Sequence, residues 1–482
     1  MKKIVTIFIV LLVSLSFSKL PSTYKFERDK NFDNDHIHGN FILDIVTTPL
    51  TPENIYVATG DGLSVGDNLD ESIDNFKWFN TVVGWGGSSA IAFSADKEVL
   101  WMATGKDSFV VDTDDFLPTG SGIHRSDDFG KTWKHFKQPG LTPIQGITYD
   151  LACDDKGQVW AACFGQSIQR SSDNGESWTP LSPDSIPWSP TSPLKYLNHR
   201  VFSVHHSVED QMIVGSAGGI NFLENYNVPD EDYVWKNFSY PQLTGNFVTH
   251  INSREYEGKS EIWAATWVAE SQSEKNGVSY TNDGGETWNK TLVGEKIYSI
   301  DFSQDGVFAS GSNGLWFRRD GSENFEKFDI RINDPMSMEV IEIERVYTFK
   351  EYDGKYFIGT PKGVAVSDDM GNSWKLFQGY KKPEVEDKEK TYAFPSPFSP
   401  SRHENVKIIF ENRSSTKVTF KVFNFANEKV VTIKNGIVYE PGTHYLLWNG
   451  KDSDGDIVAN GGYFYLLEYD GKKEWNKFFI FD

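Results

Sequence analysis

The sequence predicts an all-β chain: a ring of small antiparallel sheets, then a separate β-sandwich. Three observations predict it. An octet of the form Ser-x-Asp-x-Gly-x-(Thr/Ser)-Trp occurs four times. Runs rich in Val, Ile, Tyr, Phe and Trp, bounded by Gly, Asp, Asn and Pro, flank every copy, as strands flank turns. After a charged stretch beginning at Lys381 the spacing of the runs changes.

The octets run from Ser126 to Trp133, Ser171 to Trp178, Thr281 to Trp288 (Thr for the leading Ser) and Ser367 to Trp374. Each lies between two strand-like runs and reads as a hairpin turn. The carboxylates of Asp128, Asp173, Asp283 and Asp369 are expected to be buried and to accept backbone N–H bonds. Gly130, Gly175, Gly285 and Gly371 supply the positive φ of a tight turn. Trp133, Trp178, Trp288 and Trp374 fold back as hydrophobic anchors.

Upstream of each octet stands an apolar run ending in a small residue, then a second run. Examples are Ile55 to Leu63, Val159 to Cys163, Ile262 to Thr266 and Tyr356 to Val364. Degenerate units without the full octet lead to Trp78, Trp235 and Phe325. With the four Trp anchors these make seven units, roughly 37 to 57 residues apart. A four-stranded blade needs about 40–50 residues. The expected fold is therefore a seven-bladed β-propeller over residues 39–380.

The octets resemble the Asp-box of sialidases, xyloglucanases, sortilin-type receptors and photosystem assembly factors, all of them β-propellers. The resemblance implies that the boxes lie in third-to-fourth-strand turns and are structural. It also implies that ligands bind the opposite face, built by second-to-third-strand loops and blade connections.

Two such loops read as long: Gly105 to Gly120, with Asp107, Asp112, Asp114 and Asp115, and Trp267 to Asn276. Among the connections, Pro180 to Arg200 carries Trp188, Tyr196, His199 and Arg200, and Asp329 to Arg345 carries Arg331. Aromatics interleaved with carboxylates suit sugar stacking or a protein partner.

The 482-residue chain carries a net charge of −21, which disfavours electrostatic nucleic-acid or anionic-membrane binding. Residues 1–18 read as a secretory signal: Lys2 and Lys3, an apolar core from Ile4 to Leu15, then Ser16-Phe17-Ser18. A lead of residues 19–38 follows. No other segment approaches a membrane span, so no transmembrane anchor is expected after cleavage, and the chain is expected outside the cell, at its surface, or in the periplasm. The two cysteines, Cys153 and Cys163, flank the turn Asp154 to Gly157 at unequal distances and are expected as buried free thiols.

Residues 381–392 have a linker's composition. Residues 393–482 read as short alternating strands of a small β-sandwich. Pro395 to Pro400, Gly442 to Gly450 and Gly461 to Tyr465 resemble, in order and spacing, the C-terminal Ig-like domain of FlgD-type hook-capping proteins. They equally resemble the related type A sorting domain of the type IX secretion system. Ser396, Ser399 and Asn449 depart from that pattern. The resemblance implies an Ig-like fold and the type IX secretion machinery as a partner.

Catalytic and metal motifs are sparse. Asp452 to Asp456 lacks the bidentate acid of a calcium loop. His36-x-His38 and His205-His206 lack a third ligand at metal-site spacing. No cofactor or metal is expected. Hydrolysis of a glycoside would need two facing carboxylates. The Arg-Ile-Pro motif of sialidases is absent before the first box, and a two-propeller xyloglucanase cleft does not fit one ring. The expectation is an exported, non-catalytic propeller binding a glycan or protein. The alternatives are a glycoside hydrolase acting on extracellular polysaccharide and an assembly factor for an envelope complex.

Overall fold

The computed structural model describes residues 23–25 and 36–482, except 68, 70, 71, 82–84, 95, 96, 111–114, 140–145, 185, 224, 227, 380–390, 402 and 404. The signal segment 1–18, most of the lead 19–38, Asp112, Asp114 and nearly all of the linker 381–392 therefore lie outside the described residues.

The chain is a succession of four-stranded antiparallel meanders. The first comprises Ile42–Thr47, Ile55–Thr59, Gly62–Asp67 and Lys77–Thr81. The second comprises Gly87–Ser94, Val99–Val110, Asp115–Ser126 and Thr132–Phe136, with Thr23–Lys25 added beside its fourth strand. Next come Thr148–Cys153 to Thr179–Leu181, Val201–His206 to Trp235–Phe238, Phe247–Tyr256 to Asn289–Thr291, and Ile297–Ser303 to Glu326–Lys327. A hairpin, Arg331–Asp334 with Glu339–Glu342, precedes the last meander, Thr348–Tyr352 to Lys375–Phe377.

The first strand of each meander lies against the first strand of the next, and the last returns to the first, so the sheets form a closed ring. The second strands explain the apolar runs. Ile55–Thr59, Val159–Cys163 and Met212–Ser216 are buried along their whole length, covered on both faces by neighbouring sheets. A strand covered on both faces reads as a continuous hydrophobic run, not an alternating one.

Among the described residues, no strand is exchanged between the two ends of the ring. The first and last sheets share one core, in which Ile42, Val57 and Trp78 meet Phe357, Val366 and Phe377. Ile37 pairs with Gly379 in a parallel bridge. The Asn40 amide completes the latch: its Nδ2 donates to the Gly379 carbonyl at 3.3 Å, and its Oδ1 accepts from the Gly379 N–H at 2.6 Å.

A belt of side-chain contacts ties the first strands together near the ring axis. Asp44 accepts from the N–H of Ile91 at 3.2 Å, and Asp150 from that of Val204 at 3.0 Å. Ser89 donates to the Thr148 carbonyl, His205 meets Ser253, and His250 Nδ1 accepts from the Ile300 N–H. Lys350 Nζ lies 3.9 Å from Asp301. Bulges in these strands, at Ile42/Asp44, Thr148/Asp150, Val201/Ser203, Val248/His250 and Ile297/Ser299, shift the alternation of side chains by one.

The cysteine expectation is met as to pairing and partly as to burial. Cys153 stands opposite Val159 and Cys163 opposite Thr148, at the two ends of one hairpin. Both thiols are free; Cys163 is buried and Cys153 only partly so.

Beyond the ring, Thr391–Phe394, Val406–Asn412 and Gly442–Trp448 form one sheet. Lys429–Tyr439, Thr416–Phe423, Gly461–Tyr469 and Lys472–Ile480 form a second. Val406, Ile408 and Trp448 from one, with Phe420, Tyr465 and Phe478 from the other, make a shared core. This module touches the 331–342 hairpin. Tyr445 donates its phenol proton to Asp334, the Tyr445 N–H reaches the Met336 carbonyl at 3.3 Å, and Lys434 pairs with Glu339 at 2.7 Å.

Candidate functional site

The four octets form the turns between third and fourth strands and share one bonding scheme. Asp128 Oδ1 accepts from the Ser126 hydroxyl at 2.9 Å and the Thr132 N–H at 2.7 Å, and Oδ2 accepts from the Thr132 hydroxyl at 2.7 Å. Asp173, Asp283 and Asp369 repeat these contacts with Ser171 and Ser177, Thr281 and Thr287, and Ser367 and Ser373. The leading hydroxyl also takes the glycine N–H, as from Gly130 to Ser126 at 2.8 Å.

Burial of these carboxylates is the part of the expectation that needs correcting. Asp128 and Asp369 are half-buried, and Asp173 and Asp283 are exposed. Two hydroxyls and one backbone N–H satisfy each carboxylate at the surface, so the turn does not need to bury it. The hydroxyl and N–H of Thr287, then the hydroxyl of Thr281, hold the Asp283 carboxyl down at about 2. The glycines are needed twice over. Gly285 has φ +86°, and a Cβ there would stand 2.5 Å from the Phe238 ring of the preceding sheet.

In an antiparallel meander, turns between strands one and two and between three and four share a face. The second-to-third-strand loops and the sheet-to-sheet connections therefore share the other. On that second face an arc of aromatic rings surrounds the ring axis. From Phe41 the centroids step to Tyr347 at 4.7 Å, Tyr298 at 5.2 Å, Trp267 at 5.7 Å and Phe247 at 5.5 Å. They continue to Phe202 at 4.2 Å, and from Phe202 to Tyr149 at 5.4 Å and Phe164 at 5.8 Å. Each stands near the start of a first strand or the end of a second strand. Phe41 and Tyr149 are 43% and 39% exposed, unusually open for rings at the centre of a fold. Lys296 Nζ lies 4.0 Å above Trp267, whose Nε1 donates to the Ile297 carbonyl at 2.6 Å.

Below the arc lie Asp44, Asp150, His205, His250, Asp301 and Lys350. Burial pushes the carboxyl of Asp150 up to about 8 and that of Asp301 to about 7, and raises Asp44 as well. Burial, then neighbouring positive groups including Lys350, lowers His205 to about 3 and His250 to about 4. Both imidazoles are therefore neutral at pH 7. Asp44 and Asp150 each accept two backbone N–H bonds, one of them across a sheet boundary.

The sequence-expected face residues divide. Trp267 is in the arc. Trp188 is beside it, its Nε1 donating to the Gly165 carbonyl at 3.1 Å, next to Phe164. Asp107 lies near Tyr149, whose phenol is raised by burial and then by the Asp107 charge. The expected loop from Gly105 to Gly120 is instead the extension of two strands; Asp107 pairs with Pro118 and Asp115 with Val110.

His199 and Arg200 act as struts of their connection. His199 is wholly buried, with Nε2 3.1 Å from the Ile186 carbonyl and 3.3 Å from Asp184. Arg200 donates twice to the Leu194 carbonyl, at 3.0 and 2.6 Å. Tyr196 packs edge-on against His199, with Lys195 over its face. Arg331 is an exposed residue of the hairpin that meets the C-terminal module, paired with Asp329 at 3.2 Å.

Sequence reasoning missed most of the arc, yet a signal was present. An aromatic stands three residues before a polar ionisable residue at Phe41/Asp44, Phe202/His205, Phe247/His250, Tyr298/Asp301 and Tyr347/Lys350. Spacing also missed the neighbours of His206. Asp155 and Asp210 come from separate turns, and ligand-capable atoms of the three lie within 4.8 Å of one another. Their hydrogen bonds are internal: His206 Nε2 is 3.0 Å from Asp210 and 3.1 Å from the Tyr226 hydroxyl. The Lys156 ammonium, 4.5 Å over Tyr226, already supplies a positive charge beside them.

No protein-family model and no curated protein matches the chain. Solved structures do. A GH74 enzyme of Niastella koreensis superposes with a TM-score of 0.56 at 14% identity, covering 92% of this chain and 67% of that one. An ancestral GH74 enzyme gives 0.53 at 14%, covering 92% and 62%. PorZ, a surface component of the type-IX secretion system of Porphyromonas gingivalis, gives 0.43 at 14%, covering 92% and 66%. The chain thus spans about two-thirds of the length of these structures. At such identity the likeness to the two GH74 enzymes is one of fold: the chain is all-β, with the four-stranded antiparallel sheets of a β-propeller. Among the described residues, no helix is long and apolar enough to cross a membrane.

Proposed function

We propose that the chain is an exported, non-catalytic, seven-bladed propeller that binds a glycan or protein on the face carrying the aromatic arc. The arc is the observation that supports this reading. Rings spaced 4.2 to 5.8 Å apart, partly open to solvent, offer a broad stacking surface at the axis. The carboxylates nearest to it are occupied otherwise. Asp44 and Asp150 hold backbone N–H groups across sheet boundaries, which suits a structural role better than attack on a bond. The boxes Asp128, Asp173, Asp283 and Asp369 occupy the opposite turns and serve as fasteners.

A glycan-array and polysaccharide-hydrolysis screen of the mature protein tests this, run beside Trp267→Ala. Capture without hydrolysis, weakened about tenfold or more by loss of one stacking ring, is the expected result. Release of reducing ends would move the reading to a glycoside hydrolase.

The C-terminal pair of sheets fits an Ig-like sorting or docking module, with the type IX machinery as its partner. A chain ending near Tyr380 is expected to fold, because the described ring cores draw no residue from the C-terminal sheets. In a host with a type IX system it should cross the inner membrane and fail to reach the surface. Surface delivery equal to that of the full chain would leave docking alone.

A further inference from the structure

The C-terminal module carries an aromatic sheet face that the ring does not cover. In Thr416–Phe423, Gly461–Tyr469 and Lys472–Ile480, residues such as Phe420, Tyr465 and Phe478 turn into the shared core. Their neighbours in sequence therefore face outward. The register sets those neighbours side by side: Phe423 is opposite Phe464, and Leu466 is opposite both Lys421 and Trp475. Phe423 and Trp475 approach to 5.0 Å between centroids, and Phe425, just beyond Phe423, stacks on Phe464 at 6.1 Å. Gly462 lies among these rings; a Cβ there would stand 3.6 Å from Phe479 and 3.8 Å from Phe425. Trp475 and Phe479 are each 52% exposed, and Phe425 is 78% exposed. The module's contacts with the ring, through Lys434, Tyr439, His444 and Tyr445, use none of these residues.

The same face is basic. Lys417, Lys421, Lys473 and Lys477 stand on it against one acid, Glu468, which pairs with Lys473 at 3.0 Å. Among the described residues, Lys417, Lys421 and Lys477 have no carboxylate partner. The chain's net charge of −21 lies in residues 1–390, whereas acidic and basic residues balance over 391–482. Salt screens charges beyond about 8 Å, so the lysines of the face govern what approaches it. Rings and lysines together select the occupant. Protein interfaces are enriched in aromatics but poor in lysine. A lipid surface takes both: rings enter at headgroup level, and lysine stems lie along them while the ammonium groups meet anionic phosphates. We propose that this sheet face docks the chain on a lipid bilayer bearing anionic headgroups, with Phe425, Trp475 and Phe479 entering the interface. The face is distinct from the aromatic arc and acts independently of it.

The test uses the full mature chain, sedimented with vesicles of phosphatidylcholine alone or of phosphatidylcholine mixed with phosphatidylglycerol. The mixed vesicles should bind about tenfold or more tighter, and less tightly as salt rises. Lys421→Glu combined with Lys477→Glu should remove that preference. Phe425→Ala combined with Phe479→Ala should weaken binding to the mixed vesicles about tenfold or more. All four side chains lie outside the core, so both variants should melt as the native chain does. Binding to neither kind of vesicle overturns the proposal, as does equal binding of the native chain and both variants. A vesicle-free dimer that Lys421→Glu with Lys477→Glu dissociates also overturns it, because a second copy then covers the face.

Discussion

Trp133→Ala lowers the unfolding free energy by about 3–5 kcal/mol, as for other large-to-small changes of buried aromatics. Trp133 is 1% exposed and fills the space between the first two sheets, against Tyr56, Leu63, Leu100 and Met102. Its Nε1 donates to the Gly130 carbonyl at 3.0 Å, so the ring is fixed by the turn it anchors. Trp178 and Trp288 are only partly buried, and their Nε1 groups have no hydrogen-bond partner among the described residues. Their replacement should cost clearly less. Asp128→Ala should cost about 1–3 kcal/mol by stranding the Thr132 N–H and two hydroxyls. Denaturant unfolding of the four variants gives the order. Equal losses for Trp133 and Trp178 would contradict the account, as would loss of ligand binding in folded Asp128→Ala.

Stability falls as pH rises from about 6.5 to 8, by about 2 kcal/mol. The carboxyls of Asp150 and Asp301 are raised to about 8 and about 7, chiefly by burial, from 3.8. Between those values the folded chain holds protons that the unfolded chain has released. Unfolding then releases protons, and rising pH favours it. The buried histidines and the box carboxylates act with the opposite sign. His205, His250 and His124, lowered chiefly by burial from 6.5 to about 3, 4 and 3, contribute stability above 6.5 that is lost as pH falls towards those values. Asp283 is lowered to about 2, so its contribution is present above 3.8 and is lost as pH falls towards 2. Below about 6.5 these groups offset the buried carboxyls, and a stability maximum near pH 6–7 follows. Melting temperatures across pH 3–9 should show it, and Asp150→Asn with Asp301→Asn should flatten the alkaline side. Stability that does not fall between pH 6.5 and 8 in the native chain would contradict the assignment of these groups.

The boxes were legible because their chemistry is local. Ser126, Asp128, Gly130, Thr132 and Trp133 fasten one another within a single octet. The apolar second strands were legible because burial on both faces leaves a continuous run, as in Val159–Cys163. The aromatic face was only partly legible. Trp267 stood in a recognisable loop, whereas Phe202, Phe247 and Tyr298 sit inside strands, where an aromatic ordinarily means core. What places them at the axis is a bulge, which shifts the alternation of sides and leaves no mark in residue type. His199 and Arg200 looked exposed because their connection is long and rich in proline; folding turns both inward onto its own carbonyls. Contact of Tyr445 with Asp334 joins residues 111 apart, beyond any local pattern.

Hydrogen–deuterium exchange of the mature protein, alone and saturated with the ligand from the binding screen, tests the central claim most directly. The account predicts protection at residues 41–44, 147–150, 201–205, 247–250, 264–268, 297–301 and 346–350, with the turns 126–133, 171–178, 281–288 and 367–374 unchanged. Protection confined to those turns would place the ligand on the fastener face and contradict it.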